Sequence, residues 1–149
     1  MEDCTRCATH EHRSMVAALL MKVAKQLLQR AEDHDKSKLE SPEVEIFDEF
    51  TPKLKGTTYD SPEYKQYLGE MGEALNHHYF NNRHHPEYHD HGIKDMNLID
   101  LIEMICDWKA ATTRHADGDI SRSVELNQER FGYTNELKQI FINTVKELK

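Results

Sequence analysis

The apolar residues of this chain recur mostly at intervals of three and four positions. In the first segment they form a stripe that predicts an amphipathic helix with Thr9 as its N-cap, running to about Asp33; its members are Val16, Leu19, Leu20, Val23, Leu27 and Leu28. No segment sustains the alternation of apolar and polar residues that marks a β-strand. The pattern therefore predicts an all-α fold, with about six helices in a single domain over residues 1–149.

Capping residues predict where the later helices start. Residues 41–43 and residues 61–63 both read Ser-Pro-Glu, which places a hydroxyl cap, a proline and an acid in the order that helix N-termini favour. Asn97 and Thr134 precede two further segments with helical periodicity, of which the first is apolar nearly all round. That first segment, 98–114, is therefore predicted to be a central helix.

Prolines predict where two of these helices end. The helix that starts near residue 42 is expected to stop at Phe50, before a loop over residues 51–58 that contains proline and glycine. Pro86 is expected to stop the next helix at His84 or His85.

Composition narrows the classes of partner. The residues are 38% hydrophobic and 31% charged, and the net charge of −8 disfavours binding to a nucleic acid duplex or to an anionic membrane surface. Three cysteines do not suggest a disulfide framework, and no apolar run is long enough for a membrane span or a signal core, so we expect a cytoplasmic protein. Cys4, Cys7, His10 and His12 would suit a small zinc site, but a frayed terminus is the commoner arrangement.

His34 and Asp35 are the first candidates for metal chemistry. A neutral imidazole suits Zn, Fe, Ni and Cu, and a carboxylate also suits Mg and Mn, so the pair offers two ligands to one ion. His12 lies four positions before Val16 and so close to the apolar stripe of the first helix. It is either a third ligand or an ordinary surface or core histidine.

Histidines are concentrated in one later segment. Six of the ten lie between residues 77 and 91, and His115 is the only one beyond them. Packing alone explains such density poorly, because a buried neutral imidazole needs a partner for each ring nitrogen. The alternative is a solvated loop that is rich in histidine.

Three acids share one face of the predicted helix over residues 98–114. Asp100, Glu103 and Asp107 lie at i, i+3 and i+7. Buried carboxylates are costly unless they are paired or bound to metal, so these acids either face water or contribute to a metal site.

The order of these residues resembles the HD-domain superfamily of metal-dependent phosphohydrolases, which combines a helical histidine, a His-Asp pair and a distant aspartate. HDKSKLESPE (34–43), HHPEYHDHGI (84–93) and CDWKAATTR (106–114) are similar to stretches of the subgroup that hydrolyses cyclic dinucleotides. The resemblance implies an HD-like fold in which His12, His34, Asp35 and Asp107 hold one divalent ion.

The whole chain is also similar to a small family of bacterial and phage proteins without an assigned activity. The shared stretches are HDKSKL, HHYxxNRHHPE and CDWKAAT. This similarity covers nearly all of the chain and implies no particular reaction.

The resemblance implies a phosphohydrolase that acts on a nucleotide or related phosphate ester, with metal-bound water as the nucleophile. One or two ions of Mn, Fe, Zn, Ni, Co or Mg would serve, with His78 and His85 as further ligands. The other implied roles are catalytic for Asp35, Lys38, His84 and Glu103, and substrate-binding for Lys38, Arg83 and Lys109.

Two alternatives keep the same helices. One is an HD-like di-iron oxygenase that acts on a small organic substrate, and the other is a non-catalytic module that binds metal or nucleotide. Several tyrosines, if exposed, would permit a homodimer.

Overall fold

The computed structural model describes residues 4–58, 60–114 and 118–148. Within them the chain forms six α-helices and no β-strand, so the predicted all-α fold is confirmed. The α-helices are α1 (Thr5–Asp33), α2 (Val44–Lys55), α3 (Pro62–Asn81), α4 (Leu98–Thr112), α5 (Ile120–Phe131) and α6 (Asn135–Glu147), and short 3-10 helices span Lys36–Leu39, Pro86–Tyr88 and Gly92–Asp95. His115 lies outside the described residues.

The chain divides into two units, Met1–His34 and Asp35–Lys149. In the first unit, α1 begins at Thr5, not after Thr9, and none of its residues is buried. Thr9 is not the N-cap because its hydroxyl donates to the carbonyl oxygen of Thr5 at 2.7 Å, a bond made inside the helix. The predicted end of this helix at Asp33 is confirmed.

The hydrophobic core of the second unit lies where α4, α5 and α6 pack together. Its buried apolar residues are Met104, Ile105, Val124, Tyr133, Phe141 and Val145. Trp108 of α4 packs edge-on against Phe141, with ring centroids 5.9 Å apart. Only part of α4 is buried, since Leu98 at its start is 75% exposed, so this helix is less central than its composition predicts.

α2 packs against α3 in the same unit, and both helices depart from their predicted boundaries. α2 starts at Val44, after a turn, and continues to Lys55 through Pro52, so the predicted end at Phe50 is wrong. Lys53 stabilises this last part, because its ammonium lies 2.6 Å from Glu49 one turn earlier and 4.2 Å from the ring centre of Phe50.

α3 starts as predicted, with the Ser61 hydroxyl accepting from the backbone N–H of Tyr64 at 3.1 Å. Its helical geometry is interrupted at Gly72, which adopts φ 49° and ψ −119°, a conformation that a residue with a Cβ rarely takes. The helix ends at Asn81, three residues before the earliest end predicted from Pro86. That earlier end frees residues 82–85 from helical geometry.

The N-terminus of α4 is capped as its sequence predicts. The Asn97 side chain accepts from the backbone N–H groups of Ile99 and Asp100, and the Asp100 carboxylate accepts from the Asn97 N–H at 3.2 Å. Asp100 is fully buried and also receives two hydrogen bonds, of 3.2 and 3.1 Å, from the guanidinium of Arg83. Of the three acids on this face, Asp100 therefore has a structural role.

Replacing Asp100 with alanine should lower the free energy of unfolding by about 2–4 kcal/mol, since it removes half of a capping box and leaves a guanidinium without its bidentate partner. Urea unfolding of the metal-free protein measures the change. Asp95→Ala is the matched control, because its exposed pair with His91 should contribute about 1 kcal/mol or less. Equal effects of the two substitutions would contradict this role for Asp100.

None of the helices in the described residues combines the length and the apolar content needed to cross a lipid bilayer.

Candidate metal centre

Four side chains of the second unit converge on one point. Asp35, His78, His84 and His85 each direct one ligand atom inward, and these four atoms all lie within 4.8 Å of one another. His78 and His84 are buried, and the other two are partly buried. Among the described residues of the second unit, these four form a group with the composition and spacing of a metal site.

Three local features bring these residues together. Asp35 precedes the 3-10 helix Lys36–Leu39 and adopts a left-handed conformation, with φ 57° and ψ 16°. His78 lies on the last turn of α3. His84 and His85 follow the end of that helix, where the extended backbone at Asn82 and His85 returns both rings toward it. The early end of α3 therefore allows three histidines to meet.

The inner atoms of the cluster are three imidazole nitrogens and one carboxylate oxygen. The Asp35 Oδ1 atom lies 3.4 Å from His78 Nε2 and 3.5 Å from His84 Nε2. His78 Nε2 and His85 Nε2 are 2.9 Å apart. Two nitrogens of neutral imidazoles at that distance share either one proton or one cation, so the arrangement fits a bound ion.

In two of the histidines, the ring nitrogen that points away from the cluster, Nδ1, lies next to an acidic residue. The Nδ1 atom of His78 lies 2.9 Å from Glu43 Oε2, and the Nδ1 atom of His84 lies 3.2 Å from Glu103 Oε1. A carboxylate only accepts hydrogen bonds, so it favours the proton on Nδ1 and leaves the Nε2 lone pair directed into the cluster. This carboxylate–histidine pattern is typical of histidines that bind metal.

Burial keeps the rings of His78 and His85 neutral. It lowers the pKa of His78, the positive charge of Lys38 acts in the same direction, Asp35 and Glu43 oppose both, and the resulting pKa is about 4. Burial also lowers the pKa of His85 to about 2, with smaller effects in the same direction from His84 and His78. Neutral imidazole is the form that binds a metal ion, so these two rings do not need to lose a proton near neutral pH.

The donor set restricts the choice of ion. Three imidazole nitrogens and one carboxylate suit Zn²⁺ and the other first-row transition metals, whereas Mg²⁺ prefers oxygen ligands and retained water. Of the ions considered from the sequence, Zn, Fe, Co, Ni and Mn fit this donor set better than Mg.

Lys38 lies beside the cluster. Its ammonium is 2.6 Å from Asp35 Oδ2 and 5.0 Å from the ring centre of Phe47, and its side chain is 27% exposed. The Lys38 ammonium is thus paired with the Asp35 carboxylate, while part of the lysine side chain remains exposed to solvent.

The other residues predicted for the site are not among these four, although a carboxylate oxygen of Asp107 lies within 4.8 Å of one of Asp35. Arg83 pairs with Asp100, while Lys109 and Asp107 are half-buried on α4 and are not among the four clustered residues. His12 is exposed on α1, and His34 follows the end of that helix as the last residue of the first unit. The roles given to these residues by the resemblance stay predictions.

The sequence did not indicate three polar residues around His78. These residues are Ser37, Glu43 and Asn82, which form a hydrogen-bonded group around the Nδ1 atom of His78. Glu43 was interpreted only as part of a helix start. Cys4 and Cys7, in contrast, are free and exposed, and no metal-ligand group of the described residues includes them.

The chain belongs to a family of unknown function, DUF5662, whose sequence model matches residues 1–149. No match was found among curated proteins or among solved structures.

Proposed function

We propose that this member of the DUF5662 family is a metal-dependent phosphohydrolase that cleaves a phosphate ester, most simply that of a nucleotide. The observation that carries the proposal is the convergence of Asp35, His78, His84 and His85 within 4.8 Å. These four residues would hold one transition-metal ion, which supplies Lewis-acid activation of a phosphoryl oxygen and of the attacking water.

Lys38 supports a phosphate as the group that the site recognises. Its ammonium lies next to the candidate ligand Asp35 and remains partly open to solvent. A lysine in this position binds a phosphate oxygen as a point charge. Since the chain carries a net charge of −8, an anionic substrate needs such a local positive site.

The structure changes the role proposed for one histidine. The resemblance implies a catalytic role for His84, but its Nε2 atom lies 3.5 Å from Asp35 Oδ1 and its Nδ1 atom lies 3.2 Å from Glu103 Oε1. We therefore assign His84 to the metal, and Glu103 to holding the His84 ring. Arg83 is not assigned to phosphate binding in this scheme, because its guanidinium donates two hydrogen bonds to the Asp100 carboxylate.

A metal-supplemented screen tests the proposal. Metal-free protein is loaded separately with Zn²⁺, Mn²⁺, Fe²⁺, Co²⁺, Ni²⁺ and Mg²⁺. Phosphate release is measured from nucleoside mono-, di- and triphosphates, and nitrophenol release is measured from nitrophenyl mono- and diesters. We expect turnover with at least one transition metal and little with Mg²⁺ alone, because the donor set is rich in nitrogen.

Each alternative predicts a different result, either in this screen or in an oxygen-consumption assay of the iron-loaded protein. Metal binding without turnover of any ester would contradict hydrolysis and favour a binding module. Oxygen consumption with two irons per chain would favour an oxygenase.

A further inference from the structure

The least exposed acid near the cluster is Glu43, which has a relative exposure of 0%. A buried carboxylate is costly unless hydrogen bonds replace the lost water. Glu43 has three such partners: the Nδ1 atom of His77 at 2.7 Å, the Nδ1 atom of His78 at 2.9 Å, and the Ser37 hydroxyl at 3.0 Å. The carboxylate is therefore fixed from three directions.

Asn82 joins this group from the end of α3. Its amide nitrogen donates to the Ser37 hydroxyl oxygen at 2.7 Å and to the carbonyl oxygen of His78 at 2.8 Å. The Ser37 hydroxyl thus accepts from Asn82 while it donates to Glu43. The orientation of the carboxylate is consequently set by groups from the 3-10 helix Lys36–Leu39 and from both the last turn and the end of α3.

The two ring nitrogens of His78 have different surroundings. Nε2 meets His85 and Asp35 inside the cluster. Nδ1 meets the Glu43 carboxylate at 2.9 Å, and the Ser37 hydroxyl and the Asn82 amide nitrogen lie 3.3 and 3.0 Å from it. The two hydrogens of that amide are donated to Ser37 and to the His78 carbonyl oxygen, and the Ser37 hydroxyl donates to Glu43, so the carboxylate remains the acceptor for a proton on Nδ1. A negative acceptor at Nδ1 selects the Nδ1–H tautomer and increases the basicity of the opposite nitrogen. Without that acceptor, the proton would be free to occupy Nε2, where it would block the lone pair.

We infer that Glu43 is a positioning residue of the metal centre, which fixes the tautomer and ring orientation of His78 and is itself held by His77 and Ser37. This inference rests on the metal site of the proposed function, and it adds a residue that acts through His78 without touching the ion. Because the three contacts of Glu43 all involve polar groups at the site, its burial serves the site and not the apolar core of α4–α6.

Three variants test the role. Glu43→Gln keeps the shape but leaves only one acceptor oxygen, and Glu43→Asp keeps the charge with a shorter reach. His77→Gln removes one support of the carboxylate at a side chain that is 42% exposed, so folding is not at risk. Glu45→Gln, at an exposed position of α2, is the matched control.

The first readout is the affinity for Co²⁺, measured by competition with a chelator and by the visible absorption of the bound ion. Loss of a residue that hydrogen-bonds a metal-binding histidine costs roughly 10–100-fold in metal affinity. We expect Glu43→Gln to show a loss in that range with an altered Co²⁺ spectrum, Glu43→Asp to recover part of it, and His77→Gln to lose less. Glu45→Gln should match the unchanged protein.

The second readout does not need a metal. Nitrogen-15 chemical shifts of the histidines in the metal-free protein report the tautomer of His78, which should be Nδ1–H in the unchanged protein and mixed in Glu43→Gln. A purely structural role would change stability but not the tautomer or the Co²⁺ spectrum.

The outcomes separate the two proposals. Wild-type affinity for Co²⁺ in Glu43→Gln, or an unchanged His78 tautomer, would overturn the role of Glu43 and leave the metal site intact. Failure of the unchanged protein to bind Co²⁺ would overturn the metal site and this inference together. Metal binding that depends on Glu43 in a protein without phosphatase activity would refute only the proposed reaction.

Discussion

Changing Asp35 to asparagine is expected to remove metal-dependent phosphate release and to weaken binding of the ion by more than about 100-fold. Loss of a residue that only hydrogen-bonds a metal ligand costs roughly 10–100-fold in affinity, and loss of a ligand itself should cost more. The substitution replaces the only carboxylate among the four clustered ligands with a neutral amide. It also withdraws the negative charge that holds the Lys38 ammonium at 2.6 Å. Phosphate release and metal content of the purified variant measure both effects.

Asparagine is a better replacement than alanine at this position. Asp35 has φ 57°, in the left-handed region that asparagine tolerates and that costs other L-residues about 1–2 kcal/mol. Alanine would therefore combine loss of a ligand with strain in the backbone. Asparagine removes the charge while it leaves the turn before the 3-10 helix Lys36–Leu39 undisturbed.

The chain offers a closely matched control at Asp60. This residue also has a positive φ, of 63°, and also pairs with a lysine, Lys65, at 3.0 Å, but it is not one of the clustered residues. Asp60→Asn should keep full metal affinity and activity. Hydrolysis that persists in Asp35→Asn at the level of the Asp60→Asn control would refute the proposed metal centre.

Capping rules predicted three helix starts correctly and two wrongly, since Thr9 and Ser41 do not cap a helix. Ser61, Asn97, and Thr134 cap their helices as expected, because a short side chain that bonds the first free N–H groups needs no help from the rest of the fold. The end of α2 was wrong because contacts of Lys53 with Glu49 and Phe50 continue the helix past Pro52. Such stabilising contacts are not visible from proline alone.

The candidate site was predictable only in part. The sequence predicted Asp35, His78 and His85 as metal ligands, but it could not show that they would share one point with His84. That depends on where α3 ends, and the sequence placed this end three residues too late at the earliest. Glu43 was missed because a Ser-Pro-Glu triplet equally well describes a helix start, and its partner His77 lies 34 positions away.

Acidification should strongly destabilise the metal-free protein. The folded-state pKa values of His78 and His85 are lowered to about 4 and about 2 from 6.5, mainly by burial. Below pH 6.5 these histidines therefore become protonated in the unfolded chain but stay neutral in the folded chain. The free energy of unfolding falls as the pH falls. The contribution is fully present above pH 6.5 and is lost progressively toward pH 4 for His78 and further for His85.

Between pH 7 and pH 5 the two histidines together should lower the free energy of unfolding by about 4 kcal/mol, since each pH unit below 6.5 costs about 1.36 kcal/mol per group. Urea unfolding of the metal-free protein at these two pH values measures the change. His85→Gln should remove about half of it. Stability that does not change between pH 7 and pH 5 would show that these rings are not buried in the neutral form, and the cluster would then lose the geometry on which metal binding depends.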